Sequence, residues 1–556
     1  TLTLSGDNTY TGATTVSAGT LAVTANNALG TTATGTTIAS GATLDFRDVT
    51  YSTAEAITNN GGTIATSTGT SSFAGVITLG ANSIFDVDGT QLTASGVIQD
   101  GLGTYGITKN GDGKLILSGA NTYDGTTAIA DGSLRASHNT ALGNTTGNTT
   151  VASGAALELI GSITIASGED LTLVGTGESS TTGALRNISG NNTYNGNITL
   201  STSAVRINSD SGTLTIGGTI SNGSIGLTFG GAGDITVNGV IGNGSGTVTK
   251  DGAGTLTLSG TNTYTGTTTI NTGTLKISAD NNLGNPNTLD ADRLVLNGGT
   301  LQTTSDLTLH NNRGITLNAN STINVDSGTT LTYGGIIAEQ SSENNGYTKS
   351  GDGTLTLTGN NTYDGATVIS NGVITITHAN GLGSTTGATS ITSGASLSIS
   401  GTITVAEAIT INGTGHSSGG AIIFTANDNT YSGVITLGST STIVSTGGAQ
   451  TISGTVTGGQ ALTITANGNL IISGAVGGGT NLSSYAVTTT TGSQTFSANV
   501  TTTGNQTYTA AGGIVTSGAR TFTSSGGTVN FVSALSGNNN VTVTGNADID
   551  GAVTSI

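Results

Sequence analysis

Paired carboxylates are the residues whose type and spacing come closest to a catalytic pattern in this sequence. Aspartates two positions apart occur as Asp86/Asp88, Asp290/Asp292 and Asp548/Asp550. Residues at i and i+2 of a strand share one face, and two carboxylates with a base or a calcium ion could cleave a polysaccharide. The pairs are far apart in the sequence, however, and each also fits a solvated strand face or a turn. We therefore expect no catalytic residue, with a polysaccharide-binding or polysaccharide-cleaving protein as the alternative.

Histidines and glycine-flanked aspartates are the other candidates for metal chemistry. The four histidines, His138, His310, His378 and His416, are scattered, and two of them occupy the same place in a repeat, so they do not form a zinc pattern. Gly111-Asp112-Gly113 and Gly351-Asp352-Gly353 are similar to calcium-binding turns of other stacked-repeat proteins. Because Ala253 replaces the aspartate in a third copy, we expect plain turns and no cofactor, with calcium as the alternative.

These candidates belong to a repeated unit, whose best copy is Lys349 to Gly383, KSGDGTLTLTGNNTYDGATVISNGVITITHANGLG. The same residues recur at the same offsets in 250–284 and 109–143, and 1–30 is the same unit without its opening. A unit repeated within one chain indicates a stacked architecture, because each copy can bury its apolar face only against its neighbours.

The unit predicts short strands. Leu355 and Leu357 alternate with threonines, which points the leucines inward, and the turn formers Gly359-Asn360-Asn361 end the run. The first leucine has an apolar counterpart at i+19 in every copy, in the pairs Leu2/Leu21, Leu115/Leu134, Leu256/Leu275 and Leu355/Ile374. We therefore predict an all-β, parallel β-helix (β-solenoid) with coils of about 20 residues, in which these pairs stack.

A shorter element alternates with the full unit. Phe73 to Leu79 matches Tyr194 to Leu200 and Tyr431 to Leu437, and a weaker copy starts at Tyr333. We predict a solenoid over 1–440 with four superrepeats, at about 1–108, 109–249, 250–348 and 349–440. Residues 441–556 are expected to continue it with degenerate coils, and the chain to be a segment of a longer protein.

Composition limits the function classes. The chain is 33% hydrophobic and 4% aromatic, which suits a narrow column better than a thick globular core. A net charge of -18 argues against nucleic acid, which requires basic surfaces. The chain has no cysteine and therefore no disulfide framework. Without a long, continuous apolar run we expect no membrane insertion.

The corner of each unit is the candidate structural site. Every copy keeps the asparagine and the tyrosine of Asn-Thr-Tyr while the preceding position varies; these residues are Asn8, Tyr10, Asn121, Tyr123, Asn262, Tyr264, Asn361 and Tyr363. Asparagine can accept a backbone N–H and donate to a carbonyl. Tyrosine can cover the apolar column while its hydroxyl stays in water. We expect a structural role here, with a recognition site as the alternative.

The motif G-x-G-T-L-x-L-[ST]-G-x-N-T-Y-x-G-x-T, followed by a second G-x-[LI] strand and a closing L-G, resembles the autotransporter-associated β-strand repeat, also called the passenger-associated transport repeat. The resemblance implies a right-handed parallel β-helix in a large bacterial surface or secreted protein exported through the outer membrane. That repeat carries no catalytic residue. We therefore expect an extracellular rod or fibre segment that acts in surface extension, filament or matrix assembly, or adhesion. The expected partners are further copies, joined end to end, and a host-cell or glycan surface.

Overall fold

The computed structural model describes residues 1–242, 244–340, 343–425, 428–537 and 539–554. Within them the regular structure consists of short strands and two 3₁₀ turns, Asp280–Leu283 and His416–Ser418. Strands that pair run parallel, each with the strand one coil away along the chain, as Leu115 pairs with Leu134 and Leu355 with Ile374. The prediction of an all-β parallel β-solenoid is confirmed. No helix among the described residues combines the length and the apolar character needed to cross a membrane.

The chain divides into two compact units. The first is Thr1–Lys276 with Asn281–Asn285, and the second is Ile277–Asp280 with the described residues from Pro286 onward. This division falls inside the third predicted superrepeat. The strand Thr274–Ile277 lies at the boundary. The superrepeat boundaries themselves stay a prediction.

The described residues of the first unit form four parallel sheets. One contains Leu2–Leu4, Thr20–Val23, Thr43–Phe46, Thr63–Thr66, Ser83–Val87, Ile107–Asn110, Thr127–Ile129, Thr149–Val151, Leu171–Leu173, Ile198–Leu200, Ile220–Ser221 and Ile241–Gly242. A shorter one contains Thr14–Val16, Thr36–Ile38, Ile57–Asn60, Ile77–Ala81 and Ile98–Gln99. The third contains Thr50–Tyr51, Thr70–Phe73, Gln91–Ala94, Lys114–Leu117, Ser133–Ala136, Ala156–Ile160, Leu185–Ser189, Val205–Ser209, Leu227–Gly230, Val248–Lys250 and Thr268–Ile270. The fourth contains Thr164–Ile165, Asn192–Tyr194, Thr213–Ile216, Asp234–Val237 and Thr255–Leu258.

The second unit repeats this design. Three strands form one sheet, Asp290–Asn297, Arg313–Ala319 and Ile337–Glu339. A long sheet contains Thr300–Thr303, Leu307–Leu309, Ser321–Val325, Thr330–Tyr333, Tyr347–Ser350, Thr354–Leu357, Thr367–Ile369, Gly372–Ile376, Thr389–Ile391, Ala395–Ile399, Ile409–Gly413, Ile422–Phe424, Ile435–Ser445, Val456–Thr457, Ala461–Ala466, Ser484–Thr489, Val500–Thr502, Gln506–Ala510, Arg520–Phe531 and Val541–Ile549. Another contains Thr404–Val405, Thr430–Tyr431, Gln450–Ile452, Leu470–Ile472, Gln494–Phe496, Ile514–Thr516, Leu535–Gly537 and Val553–Thr554.

The coils are longer on average than the sequence analysis predicted. They contain about 22 residues each, which is within the range usual for stacked repeats. The predicted offset holds for the first strand pair of a full unit, as between Leu115 and Leu134. Other coils carry larger corners, and the connection is much longer where Leu157 pairs with Leu185. The parallel ladder requires only that the strands meet in register, so the corner loops are free to vary in length.

The core of each unit is a column of inward side chains from successive coils. Leu355 and Leu357 are both 1% exposed, whereas the threonines between and before them face outward. Near the end of the chain, aromatic rings fill the column instead. Phe496, Tyr508 and Phe522 lie with ring centroids 5.2 to 5.6 Å apart. Aromatic pairs at these distances add to the stabilisation from apolar burial.

Candidate functional site

The corner asparagine of each full unit joins three successive coils. Asn361 Oδ1 accepts the backbone N–H of Ile337 at 2.9 Å, and its Nδ2 donates to the carbonyl of Gly381 at 2.7 Å. These partners lie 24 residues before and 20 residues after Asn361. Asn121 and Asn262 make the same two hydrogen bonds, and Asn8 makes the second. The side chain thus satisfies backbone groups at a point where the ladder is interrupted.

The corner tyrosine lies deeper than the sequence suggested. Tyr363 is fully buried, and its hydroxyl is 2.6 Å from Thr367 Oγ1. Tyr123 and Tyr264 are buried in the same way, with Thr127 and Thr268 as partners. The expectation that these hydroxyls stay in water is wrong, because the threonine four residues on supplies the partner that water would otherwise provide. Tyr10, in the first coil, is 40% exposed.

The glycine that closes each unit lies directly against this tyrosine. Gly383 has a φ of 97°, and a Cβ there would lie 2.6 Å from the carbonyl oxygen of Tyr363 and 2.9 Å from its ring. Gly30, Gly143 and Gly284 meet Tyr10, Tyr123 and Tyr264 in the same way. Only glycine adopts this backbone conformation and leaves room for the ring, which explains the closing L-G of the motif.

The lysine that opens a full unit is buried, which the sequence analysis missed. Lys349 Nζ donates to the carbonyls of Ser350, Gly351 and Asn371 at 2.9, 2.8 and 3.1 Å. Lys109 and Lys250 make the equivalent three hydrogen bonds. Burial lowers the pKa of Lys349 to about 8, and the nearby carboxylate of Asp352 opposes that shift. The ammonium group thereby ties a turn to the next coil.

A second buried ionisable position recurs about one coil before the shorter element, and it too was missed. Three superrepeats hold a glutamate there, Glu55, Glu169 and Glu407. Glu169 and Glu407 are 2% and 4% exposed; in each, Oε1 accepts a threonine hydroxyl while Oε2 has no hydrogen-bond partner among the described residues. Burial raises the pKa of both to about 8, and the threonine hydrogen bonds oppose the shift. Both carboxyls are therefore mostly protonated at neutral pH.

The third superrepeat has Arg313 at this position. Its side chain is fully buried, and its Nε lies 3.0 Å from Asp280 Oδ1. Asp280 stands where the other full units have Asn26, Asn139 and Ala379. The exchange of a glutamate for an arginine is thus accompanied by an aspartate that neutralises it. A change of charge at one position that is balanced by a change at the residue it contacts is typical of a structural contact.

The paired aspartates of the sequence analysis are spread over different coils. Asp292 Oδ1 accepts a hydrogen bond from Thr316 Oγ1 at 2.7 Å, and Asp548 and Asp550 are exposed. Asp86 and Asp88 are close enough to raise the pKa of Asp86, although burial is the larger cause. Within the described residues no group of three or more His, Asp or Glu side chains could hold a metal ion.

Three of the four histidines act in turns. The Nδ1 atoms of His138, His310 and His378 each accept the backbone N–H two residues on, at 3.1 to 3.2 Å. The Gly-Asp-Gly segments are also turns, and the carbonyls of Gly111 and Gly351 accept from the buried lysines. These carbonyls are already engaged by an ammonium group. The expectation of plain turns without a cofactor stays a prediction, with calcium as its alternative.

A loop projects from the solenoid in the second and fourth superrepeats. The sequences are GTGESSTTG at 175–183 and GTGHSSGG at 413–420. In the later loop the buried Ser396 hydroxyl accepts the N–H of His416 at 2.8 Å and donates to the carbonyl of Gly420 at 2.6 Å. Two neighbouring serines at its tip, Ser417 and Ser418, have positive φ values of 49° and 60°.

Comparison with known proteins agrees with the repeat assignment. The model of the family "Passenger-associated-transport-repeat" matches residues 1–23, 107–136, 248–277 and 348–376. The adhesin BmaC autotransporter of Brucella suis biovar 1 (strain 1330) is 37% identical over 123 residues, which are 22% of this chain and 3% of that protein. No solved structure matches the chain. The chain thus carries four copies of the passenger-associated transport repeat, and over 22% of its length it is similar to an autotransporter adhesin, of which it spans only a small part. The repeats and this similarity indicate a location outside the cell or at the cell surface.

Proposed function

We propose that the chain is a structural, non-enzymatic segment of a bacterial surface protein that acts in adhesion. The observation that carries this proposal is where the repeated residues lie. Lys349, Asn361 and Tyr363 are each at most 1% exposed, and their polar atoms bond to the protein's own backbone or to a threonine. The repeat therefore uses its shared side chains to hold the coils together, and the outward face is left to differ from coil to coil.

The distribution of charge supports the same function. Lys114, Arg135 and Arg186 surround the buried carboxylate of Glu158 at 3.0, 2.7 and 3.5 Å. These cations pair with carboxylates, since Arg186 also pairs with Asp210 at 2.6 Å. In a chain with a net charge of -18, such paired cations differ from the free basic stripe that nucleic acid requires. The similarity to an adhesin supports surface binding as the role of the outward face.

Attachment of coated beads tests this function. Beads that carry the purified chain are expected to attach to cultured epithelial cells, or to plates coated with extracellular matrix, several-fold more often than albumin-coated beads. Equal attachment of both kinds of bead would contradict the adhesive role.

Assembly into filaments or a matrix is a finer form of the proposal. It predicts that purified protein associates end to end as its concentration rises. Electron microscopy with sedimentation velocity distinguishes filaments from single molecules. A monomer at every concentration would contradict assembly and leave adhesion by the single molecule as the proposed function.

A further inference from the structure

The projecting loop of the fourth superrepeat borders a polar groove in the second unit. The groove encloses about 530 Å³ and lies between the loop tip, at His416 and Ser417, and the Gly-Asp-Gly turn at Asp352. Hydroxyl side chains including Thr329 and Thr354 line its floor. A volume of several hundred cubic ångströms is usual for a small-ligand site.

Both walls of the groove are held in place by buried contacts. On one side, the Ser396 hydroxyl fixes both ends of the loop. On the other, Lys349 Nζ holds the carbonyl of Gly351 at 2.8 Å, next to Asp352. The serines at the loop tip, Ser417 and Ser418, adopt a backbone conformation that non-glycine residues rarely take. Such conformations cost free energy and are concentrated at binding sites and active sites.

The groove also offers polar groups whose side chains are not hydrogen-bonded within the described part of the protein, although the charge of Asp352 acts on the buried Lys349. Within the described residues, the Asp352 carboxylate makes no hydrogen bond and no ion pair. The imidazole of His416 makes none either. A carboxylate accepts hydrogen bonds from two adjacent hydroxyls, and an imidazole and the threonine hydroxyls both donate and accept.

The chemistry of the groove selects among ligand classes. Its lining is mostly polar, which disfavours a lipid or an apolar peptide. Its one carboxylate, in a chain with a net charge of -18, disfavours a phosphate or sulfate. Calcium would need six to eight oxygen ligands, and the carbonyl of Gly351 already accepts from Lys349. A neutral, polyhydroxylated molecule satisfies the groups that remain.

We propose that the groove between Asp352 and His416 binds a neutral saccharide. The inference rests on the proposed adhesive function, for which it names a site and a ligand class. The carboxylate of Asp352 accepts from a pair of sugar hydroxyls, and His416 with the loop serines closes the groove from the other side.

Titration with defined sugars tests the site. The probes are lactose, cellobiose and N,N′-diacetylchitobiose, together with an array of longer neutral glycans. At least one neutral glycan is expected to bind, and Asp352→Ala and His416→Ala are each expected to weaken that binding at least tenfold. Asp112→Ala is the matched control, because Asp112 holds the same place in the Gly-Asp-Gly turn of the second superrepeat; it should bind as the unchanged protein does.

Each other outcome overturns the proposal. No neutral glycan bound, or equal binding by the Asp352 and His416 variants, would each exclude a neutral saccharide site in this groove. Binding that chelation of calcium abolishes would overturn the direct contact of the Asp352 carboxylate with the sugar. Asp352 is exposed and His416 lies in a loop, so a melting curve verifies that both variants fold. Cell attachment by beads that carry the unchanged chain, when that chain binds no neutral glycan, would leave the adhesive function standing and remove only this site.

Discussion

At the level of single residues, the corner asparagine is the side chain whose loss has the clearest expected cost. Asn361→Ala leaves the buried N–H of Ile337 and the carbonyl of Gly381 without partners. An unpaired buried polar group costs about 1–3 kcal/mol, so we expect a lower melting temperature and unchanged cell attachment.

The neighbouring Asn360→Ala is the control for this variant, because Asn360 is exposed and, among the described residues, its side chain bonds only to the exposed Asn380. Loss of attachment by Asn361→Ala at an unaltered melting temperature would identify the corner as a recognition site instead.

The buried glutamates predict an unusual pH dependence of stability. The pKa of Glu169 and Glu407 is about 8 in the folded chain, against an ordinary value of 4.5. Between these values the folded chain keeps protons that the unfolded chain releases, so the free energy of unfolding falls as the pH rises from about 4.5 to about 8. The stabilisation is complete below that window and is lost above it.

Denaturant titrations at a series of pH values measure this effect. The double variant Glu169→Gln/Glu407→Gln should flatten the profile and be the more stable protein at pH 8, since an amide has no proton to lose. Glu178→Gln, at an exposed position of the projecting loop, should leave the profile unchanged. Identical profiles for the double variant and the unchanged chain would show that the two carboxyls titrate normally.

The burial of these lysines and glutamates could not be predicted from the sequence. A lysine is ordinarily exposed, but Lys349 is an inward residue of its strand, and Asn371, 22 residues later, brings a third carbonyl to its ammonium group. The contact depends on how one coil lies on the next, which no local pattern encodes. The retention of a lysine at 109, 250 and 349 was the available signal.

At the level of strands, the inward alternation in the full unit makes a direct prediction. Leu355 is 1% exposed and stacks between Leu331 and Ile374. Leu355→Asp places an unpaired charge in the column and should cost about 4 kcal/mol or more. Thr356→Asp changes the next, outward-facing residue and should cost far less. Denaturant unfolding compares the two, and equal losses would contradict the inward assignment of Leu355.

The pairing of the strands in a full unit could be predicted from the sequence, for a physical reason. An apolar residue that recurs at a fixed offset, as Leu134 follows Leu115, reports directly on which strands lie in register. The average coil length was not accessible, because corners such as the one between Leu157 and Leu185 lengthen without changing the strands. The asparagine hydrogen bonds could be anticipated from chemistry alone, whereas the buried tyrosine hydroxyl required knowledge of Thr367.

At the level of the whole molecule, we predict that the purified chain has no hydrolase or lyase activity. The motivation is that the three aspartate pairs lie on coils far apart from one another and that the described residues contain no cluster of three or more metal ligands. Incubation with polygalacturonate and other glycans, followed by analysis of reducing ends and unsaturated products, should show no breakdown. Sustained cleavage that disappears when one aspartate pair is changed to asparagine would overturn this prediction.

The reach of the corner asparagine has a consequence for how such a protein changes over generations. Its hydrogen bonds extend one coil backward and one coil forward, to residues 24 before and 20 after Asn361. A duplication or deletion that keeps a unit together with these two flanking coils leaves both hydrogen bonds of the asparagine intact, because each repeat depends only on its neighbours. Recombination between the stretches of the gene that encode these similar units can therefore lengthen or shorten the protein without a new fold having to evolve.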